Sequence, residues 1–465
     1  MILTVKDIKK LANVQLVNEN GLSRVKFNNV SIDSRKCTKK SLFVAVKGEK
    51  FDGHNFIDQV FIKGVKCAVV CGRWYNSLSE NKKRSFKKYS FALVKDTLKS
   101  LGGLANIHRN KFLIPVLAVG GSNGKTSAKD YIAHVLSQRY NVMKTEGNFN
   151  NAYGVPLTLF RISDDHALAV IEVGTNHFGE IKYLCEAAKP QLGLITNIGK
   201  EHLEFFKTVK GAAKAECELL EYLSENFGML FLNTDDEELK QSEWKYPTNF
   251  LAFGSKGKPD VKGKLIKFDG FQPIMEISFG KTRFRAKLKG IGRQSFNAAL
   301  AAAAVGFYFE VPPAKIKKAI SEYTMESGNR NQLKQINGVW IIDDSYNSNP
   351  GSMQAALENM KEYKIKGSKY VVLGDMLELG KASRKEHSFA GRIIKKMGFD
   401  NLYTYGRESY YTHKSANSVK NNFHFDDKNV LAEMLKLQLK KGDLVLVKGS
   451  RSVKMEEVIE QLGKK

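Results

Sequence analysis

Cysteine is scarce in this chain of 465 residues, and the five present (Cys37, Cys67, Cys71, Cys185 and Cys217) are an odd number. An odd count excludes a fully paired disulfide framework, and Cys67 with Cys71 lacks the second close pair that would complete a zinc site. Free thiols in a reducing compartment are expected. No apolar run reaches the roughly 18 residues of a membrane span, and the opening MILTVKDIKK lacks the continuous apolar stretch of a secretory signal. A cytoplasmic protein with no membrane span is expected. Internal repeats and low-complexity tracts are also missing. Acidic residues are the remaining shortage: 48 Asp and Glu against 74 Lys and Arg leave a formal charge of +26, an attraction for some polyanion. The basic residues are spread along the chain, densest in NKKRSFKKY (81–89), with no arginine-rich tail or nucleic-acid motif. A generally basic surface or a nucleotide substrate accounts for them, and nucleic acid is not expected as a partner.

What is present fits a globular protein, with 42% hydrophobic and 26% charged residues. The length calls for two or three domains of roughly 100–200 residues. Short apolar runs alternate with helix-like segments from end to end, the pattern of α/β architecture. Three blocks are expected: 1–109, 110–325 and 326–465. The first holds the strand-like SLFVAV (41–46) and CAVV (67–70), followed by a candidate helix in DTLKSLGGLANIHRN. The second opens with PVLAVGGSNGKTSAKDYIAHVL, continues through ALAVIEVG and LGLITNIG, and ends near the alanine-rich NAALAAAAVGFYF and the breaker Pro312-Pro313. In the third, VWIIDDS, KYVVLGDM, NLYTYG and DLVLVKGS read as strands of a second parallel sheet, whose ligands belong at the carboxyl ends of the strands.

The opening of the second block is the most informative segment. An apolar strand runs into Gly121, Ser122, Asn123, Gly124, Lys125, Thr126 and Ser127, and then into an amphipathic helix. Glycines let backbone N–H groups converge on phosphate oxygens, and the helix N-terminus adds partial positive charge. Lys125 neutralises the β/γ region, and Thr126 offers a hydroxyl to Mg²⁺. The spacing departs from the usual phosphate loop, because Val119 stands five positions before Gly124. A plain glycine turn before a helix is the alternative.

Ser-Asn-Gly-Lys-Thr with this shortened spacing resembles the ATP loop of the Mur ligases, a family that has folylpolyglutamate synthase among its relatives. GNFNNAYGVPLTL (147–159), IEVGTNHFGEI (171–181), TNIGKEHLEFF (196–206), DDSYNSNPGSM (343–353), VLGDMLELG (372–380) and VKGSR (447–451) are similar to further segments of that family, in its order. SIDSRKCTKKSLFVAVKGEKFDGHNF resembles its uridine-binding domain. The resemblance implies a three-domain Mur ligase fold. An N-terminal domain would bind the UDP-substrate, a central P-loop-type parallel-sheet ATPase domain would bind ATP, and a Rossmann-like C-terminal domain would bind an incoming dipeptide. It implies an ATP-dependent peptide ligase that forms a C–N bond through an acyl phosphate and releases ADP, with ATP and Mg²⁺ as cofactors. Tyr346-Asn347-Ser348-Asn349-Pro350 and Gly374–Gly380 look like the branch that adds D-alanyl-D-alanine to UDP-N-acetylmuramoyl-tripeptide. A monomer is expected. A sister ligase adding the third amino acid and a folylpolyglutamate synthase-like ligase stay open, with a nucleic-acid-binding ATPase and a degenerate ligase more remote.

The resemblance also distributes roles. Lys125, Glu172, His202 and Glu216 are the catalytic candidates, and Thr126, Glu172 and His202 the Mg²⁺ ligands, although a hard cation ordinarily prefers oxygen. Glu216 departs from the family, which usually carries a carbamylated lysine at this place. The expectation is that Glu216 supplies that negative charge directly, while Lys214 points to another face of its helix. Arg330, within SGNRNQ, is expected at the nucleotide phosphates and Asp344 at the ATP ribose. Tyr346, Asn347 and Asn349 are expected at the dipeptide. Asn148, Asn150 and Asn151 are expected at the substrate's sugar or peptide, and Lys448 and Arg451 add cations for a carboxylate or phosphate. Asp33, Ser34, Arg35 and Lys47 are candidates for the uridine diphosphate end, with Asp52 and His54 equally readable as turn residues. Adenine recognition is left to Asn297, since Ala298 stands where the family has an asparagine.

Overall fold

The computed structural model describes residues 3–19, 22, 25–48, 51–243, 245–324 and 330–464. The boundary expected between 325 and 326, and Ser327 to Asn329 of SGNRNQ, lie outside the described residues. The chain packs as two compact units. One comprises Met1–Ala118, Tyr140–Thr175 and Gly179–Leu192, and the other Val119–Arg139, Asn176–Phe178 and Gly193–Lys465.

The first unit is built on a five-stranded sheet in the order Gln15–Val17, Ser90–Val94, Cys67–Cys71, Ser41–Val44, Asn29–Ser31, parallel except for Gln15–Val17. Its three central strands are buried or nearly so along their whole length, which is why they read as unbroken apolar runs rather than alternating ones. The strand expected over 41–46 stops at Val44, and Ala45 and Val46 turn into a bridge that pairs Lys47 with Asp52. Aromatic rings fill the core beside it: Phe61 stacks on Tyr89 at 4.0 Å and meets Phe86 and Phe91 edge-on. The expected helix forms over Thr97–Arg109, capped by Asp96, whose carboxylate accepts from Leu98 and Lys99 N–H. Arg109 is buried with its charge met by the carbonyls of Ala188, Phe112 and Ile114. The strands Val142–Lys144 and Leu168–Glu172 pair in parallel in the same unit.

In the second unit, Met229–Asn233, Asn249–Gly254 and Val261–Asp269 pair in parallel, and antiparallel hairpins add Gln272–Phe279 and Thr282–Lys287. The alanine-rich segment forms the helix Gly292–Tyr308, buried over most of its length. Its small side chains let it lie close against the helix Lys125–Leu136. A six-stranded sheet follows in the order Gln332–Ile336, Val339–Asp344, Leu444–Lys448, Lys369–Gly374, Asn401–Tyr405, Asn421–Phe425, parallel except for its first strand. Side chains alternate across it with the period of two that strands impose. Ile342, Leu373, Leu402 and Leu446 join one core, and Ile341, Val372, Tyr403 and Val447 the other. The five cysteines form no disulfide, and burial pushes the Cys67 thiol up to about 12 and the Cys217 thiol up to about 11, so neither is a nucleophile at neutral pH. No helix among the described residues is long and apolar enough to cross a membrane.

Candidate active site

The strand Val116–Gly120 delivers its last residue to a loop that only glycine can make. Gly121 has φ +114°, and a Cβ there would stand 2.3 Å from Thr196 Oγ1 and 2.7 Å from Thr196 N. Gly124 has φ +80° with nothing within 4 Å, and opens the helix Lys125–Leu136. One glycine is demanded by space and conformation, the other by conformation alone. The segment after the strand Leu192–Ile195 braces this loop. Asn123 O accepts from Thr196 Oγ1 at 2.7 Å and from Asn197 Nδ2 at 2.8 Å, and Ser122 N donates to Asn197 O at 2.8 Å. Ser122 Oγ accepts from Gly199 N at 2.8 Å and donates to Glu201 Oε1 at 2.6 Å.

A small charged cluster lies inside this cradle. Lys125 Nζ donates to Gly121 O and stands 3.8 Å from Glu201 and 3.9 Å from Glu216. Glu216, at the end of the helix Val209–Glu216, is fully buried and accepts from Gly121 N at 2.6 Å. Burial, and then the charge of Glu201, push its carboxyl up to about 8 against the opposing pull of Lys125. Two carboxylates facing one ammonium would leave an uncompensated buried charge, so Glu216 keeps its proton at neutral pH while no further cation is present. Lys214 behaves as expected: it is exposed, with its ammonium 5.5 Å over the Phe178 ring.

Further residues of the second unit come to the same loop. Arg330 Nη1 donates to Thr126 Oγ1 at 2.8 Å, and its guanidinium lies 3.9 Å over the Tyr346 ring, with Arg451 at 5.7 Å from the same ring. Asn349 Nδ2 donates to Asn123 Oδ1 at 2.9 Å. The buried Lys448 donates to Asp344 Oδ2 at 2.7 Å and to Asn347 O at 2.9 Å, and Asn331 N donates to Asp344 Oδ1 at 3.1 Å. His202 has φ 42° and places Nδ1 2.5 Å from Glu378 Oε2, which holds the Glu378 carboxyl below its ordinary value. Ser127 is half-buried in the first turn of the helix.

Other candidates have local partners of their own. Asn297 is exposed on the helix Gly292–Tyr308 beside the buried Ala298, while Arg293 N and the Gln294 amide engage Asn359 instead. In the first unit, Glu172 is buried at the end of its strand and accepts from Asn150 Nδ2 at 2.8 Å. Asn151 Oδ1 accepts from Gly154 N at 2.9 Å and so turns the chain into the helix Gly154–Leu159, and Asn148 is exposed. Arg35 is paired with Asp33 at 2.9 Å, Ser34 is buried with its carbonyl taking the Lys63 ammonium, and Lys47 is exposed. His54 accepts from Cys71 N at 2.9 Å through Nε2 and donates through Nδ1 to Asp52 at 2.6 Å, the geometry of a structural, neutral imidazole.

Three carboxylates in working positions were not singled out from sequence: Glu201, Glu378 and Glu386, the last buried and paired with Lys200 at 2.9 Å. The first two stand inside recognisable motifs, Glu201 directly before His202. Their partners, however, are far apart in sequence and no spacing announces them.

The chain as a whole resembles known proteins. Residues 119–306 match the model of the Mur ligase middle domain, 329–451 that of the Mur ligase glutamate ligase domain and 26–105 that of the Mur ligase family catalytic domain. The sequence is 33% identical to the UDP-N-acetylmuramoyl-tripeptide--D-alanyl-D-alanine ligase of Bacillus subtilis over 99% of this chain and 98% of the relative. It is 33% identical to the ligase of the same name from Escherichia coli over 93% of each. Among solved structures, MurF from Acinetobacter baumannii superposes with a TM-score of 0.89 at 26% identity, covering 99% of both chains. The MurF ligase of Thermotoga maritima in complex with ADP gives 0.82 at 27% identity, covering 94% of this chain and 97% of that one.

Proposed function

The chain belongs to the Mur ligase family, and from that premise we propose that it joins D-alanyl-D-alanine to UDP-N-acetylmuramoyl-tripeptide at the expense of ATP, giving the pentapeptide precursor of peptidoglycan. The observation that carries this reading is the glycine cradle of Gly121 and Gly124 with Lys125 inside it, in a chain alike over its full length to ligases of that name. The assigned ligand of one solved relative, ADP, supports ATP as the nucleotide.

The chemistry asks the protein mainly for position and positive charge. A carboxylate does not condense with an amine in water unless its oxygen is first made a leaving group. Transfer of the γ-phosphoryl group from ATP to the tripeptide's terminal carboxylate releases ADP and gives an acyl phosphate. The dipeptide amine then attacks the acyl carbon, the C–N bond forms, inorganic phosphate leaves with its electron pair, and the amine gives up a proton. Lys125 is placed to release Gly121 O and take the β/γ-phosphates, and Arg330 to move from the Thr126 hydroxyl onto the γ-phosphate. Asp344, held by Lys448, is the ribose candidate, and Asn297 remains the adenine candidate. Tyr346, Asn347, Asn349 and Arg451 frame the dipeptide. Ser34, Arg35 and Lys47 take the UDP end, and Asn148, Asn150 and Asn151 the muramoyl peptide.

Mg²⁺ fits the donors present. Each taken by itself, the Thr126 hydroxyl and the buried Glu172 carboxylate are hard oxygen donors of the type this ion takes, which binds one or two protein ligands plus phosphates. Among the described residues no cluster of three or more His, Cys, Asp or Glu holds a metal alone, and none is required. His202 is the further ligand the family suggests. Bound there, the ion would neutralise phosphate charge. The division 1–109, 110–325 and 326–465 is part of the same proposal and is supported by the three matched segments, each of which falls inside one of these domains. A monomer working in the cytoplasm, where ATP and the nucleotide precursor are found, completes it.

The test is direct. Purified protein with ATP, Mg²⁺ and UDP-N-acetylmuramoyl-tripeptide should release ADP and phosphate only when D-alanyl-D-alanine is added. Turnover with a free diamino acid on the dipeptide precursor, and none with the dipeptide, would reassign the chain to the sister ligase.

A further inference from the structure

Asn349 does two jobs with one amide. Its Oδ1 accepts from Ser352 N at 2.8 Å while Ser352 Oγ accepts from Asn349 N at 3.0 Å, the reciprocal cap of the helix Pro350–Glu362. With the oxygen committed to the helix, the NH₂ must point the other way, and it donates to Asn123 Oδ1 in the phosphate loop at 2.9 Å. Asn123 is braced in turn through its carbonyl by Thr196 and Asn197. A second strut runs alongside: the Tyr346 ring carries the Arg330 guanidinium at 3.9 Å, and Arg330 donates to Thr126 at 2.8 Å. Any shift of residues 346–349 is thereby felt at two phosphate-loop side chains, Asn123 and Thr126.

We propose that Asn349 is a positioning residue that couples dipeptide occupancy to nucleotide affinity through its hydrogen bond to Asn123, with Tyr346 and Arg330 as a parallel route. The proposal rests on the ligase reading. A dipeptide lying against Tyr346 and Asn347 fixes the segment that presents the Asn349 amide, and a fixed amide holds the phosphate loop in its binding shape. Coupling of this kind is reciprocal, so nucleotide tightens the dipeptide by the same factor.

The experiment separates the link from the cap. In Asn349→Ser the hydroxyl still caps the helix, because serine and asparagine cap comparably, but it is too short to reach Asn123. Asn123→Ala removes the other end. A non-hydrolysable ATP analogue is titrated onto the full chain, with and without saturating D-alanyl-D-alanine, for the parent, both single variants and the double variant. The parent should bind the analogue about 3- to 10-fold more tightly with dipeptide, the worth of one net hydrogen bond. Each single variant should lose most of that ratio and the double variant no more than either. Asn349→Ser should melt within about 2 °C of the parent, whereas Asn349→Ala, which loses the cap, should melt lower. Retention of the dipeptide effect in Asn349→Ser, independent losses in the double variant, or a parent without the effect would each overturn the proposal. A parent that forms product but shows no coupling sinks this inference alone, and one that forms no product sinks the ligase reading.

Discussion

The phosphate loop at Gly121–Thr126 and the loop at Ser345–Asn349 both follow largely buried strands, yet they are held in different ways. The first is shaped by its own backbone and braced by a segment entered from another strand of the same unit, down to the hydroxyl of Thr196 pressed against Gly121. The second is held by side chains from distant parts of the chain: Lys448 on the carbonyl of Asn347, and Asn123, 226 residues away, on the amide of Asn349. A site made of backbone tolerates almost no change where a glycine is packed, as Gly121 is against Thr196. One made of side-chain contacts can be loosened a bond at a time, and that is where affinities are tuned.

Lys125→Ala should have the largest effect on activity, a loss of about a hundredfold or more in dipeptide-dependent ADP release, because a preorganised cation at the transferring phosphoryl group is removed. Activity at the parental rate would remove the loop from the mechanism altogether. The two glycines should then part company in stability. Gly121→Ala drives a Cβ into Thr196 at 2.3 Å and should lower the thermal midpoint steeply, with loss of nucleotide binding. Gly124→Ala meets nothing within 4 Å and should cost only the left-handed conformation, about 1–2 kcal/mol. Equal midpoints for the two variants would mean that the packing against Thr196 is not a constraint.

Glu216 sharpens the comparison, since it is fully buried against the backbone-built loop, on the N–H of Gly121. Its folded-state pKa is raised from an ordinary 4.5 to about 8, so the folded protein binds more protons than the unfolded chain between those values. Its contribution is fully present below pH 4.5 and is lost as pH rises through the raised value. The nucleotide-free protein should therefore melt lower as pH climbs from 5 to 8, and Glu216→Gln, which keeps an acceptor for Gly121 N–H, should flatten that slope. If a built-in carboxyl stands in for a carbamate, added bicarbonate should leave the parent's activity unchanged while raising that of Glu216→Lys. A parent that needs bicarbonate would show that Glu216 does not play that part.

The same contrast explains what could be read from the sequence. Strand, glycine turn and helix are consecutive, so the cradle and Lys125 were legible, as were the strand in CAVV and the parallel strand in DLVLVKGS. The shortening of SLFVAV by two residues was not, because Ala45 and Val46 are as buried as strand residues while their backbone already turns toward Asp52. Glu201 and Glu378 were passed over because their meaning lies in Ser122, Lys125 and His202, which only the fold brings near. Asn349 was read as a dipeptide contact from its type and place before proline, and no pattern in the sequence could reveal that its amide would be shared between a helix cap and Asn123.

The smallest effect is expected at the other side-chain link, His202 to Glu378, which ties the segment after the phosphate-loop brace to the loop following the strand Lys369–Gly374. Glu378 is half-exposed, so the pair is worth at most about 1 kcal/mol. Hydrogen bonding to His202 lowers the Glu378 pKa from 4.5, so its stabilisation is present above that value and fades as pH falls through the lowered one. Glu378→Gln should accordingly melt slightly below the parent at pH 7, and the two curves should converge under acid conditions. A gap that persists under strongly acid conditions, or a loss at neutral pH as large as that of Gly121→Ala, would mean that Glu378 carries packing the hydrogen bond to His202 does not explain, and that this region is built more like the phosphate loop than like the loop at Asn349.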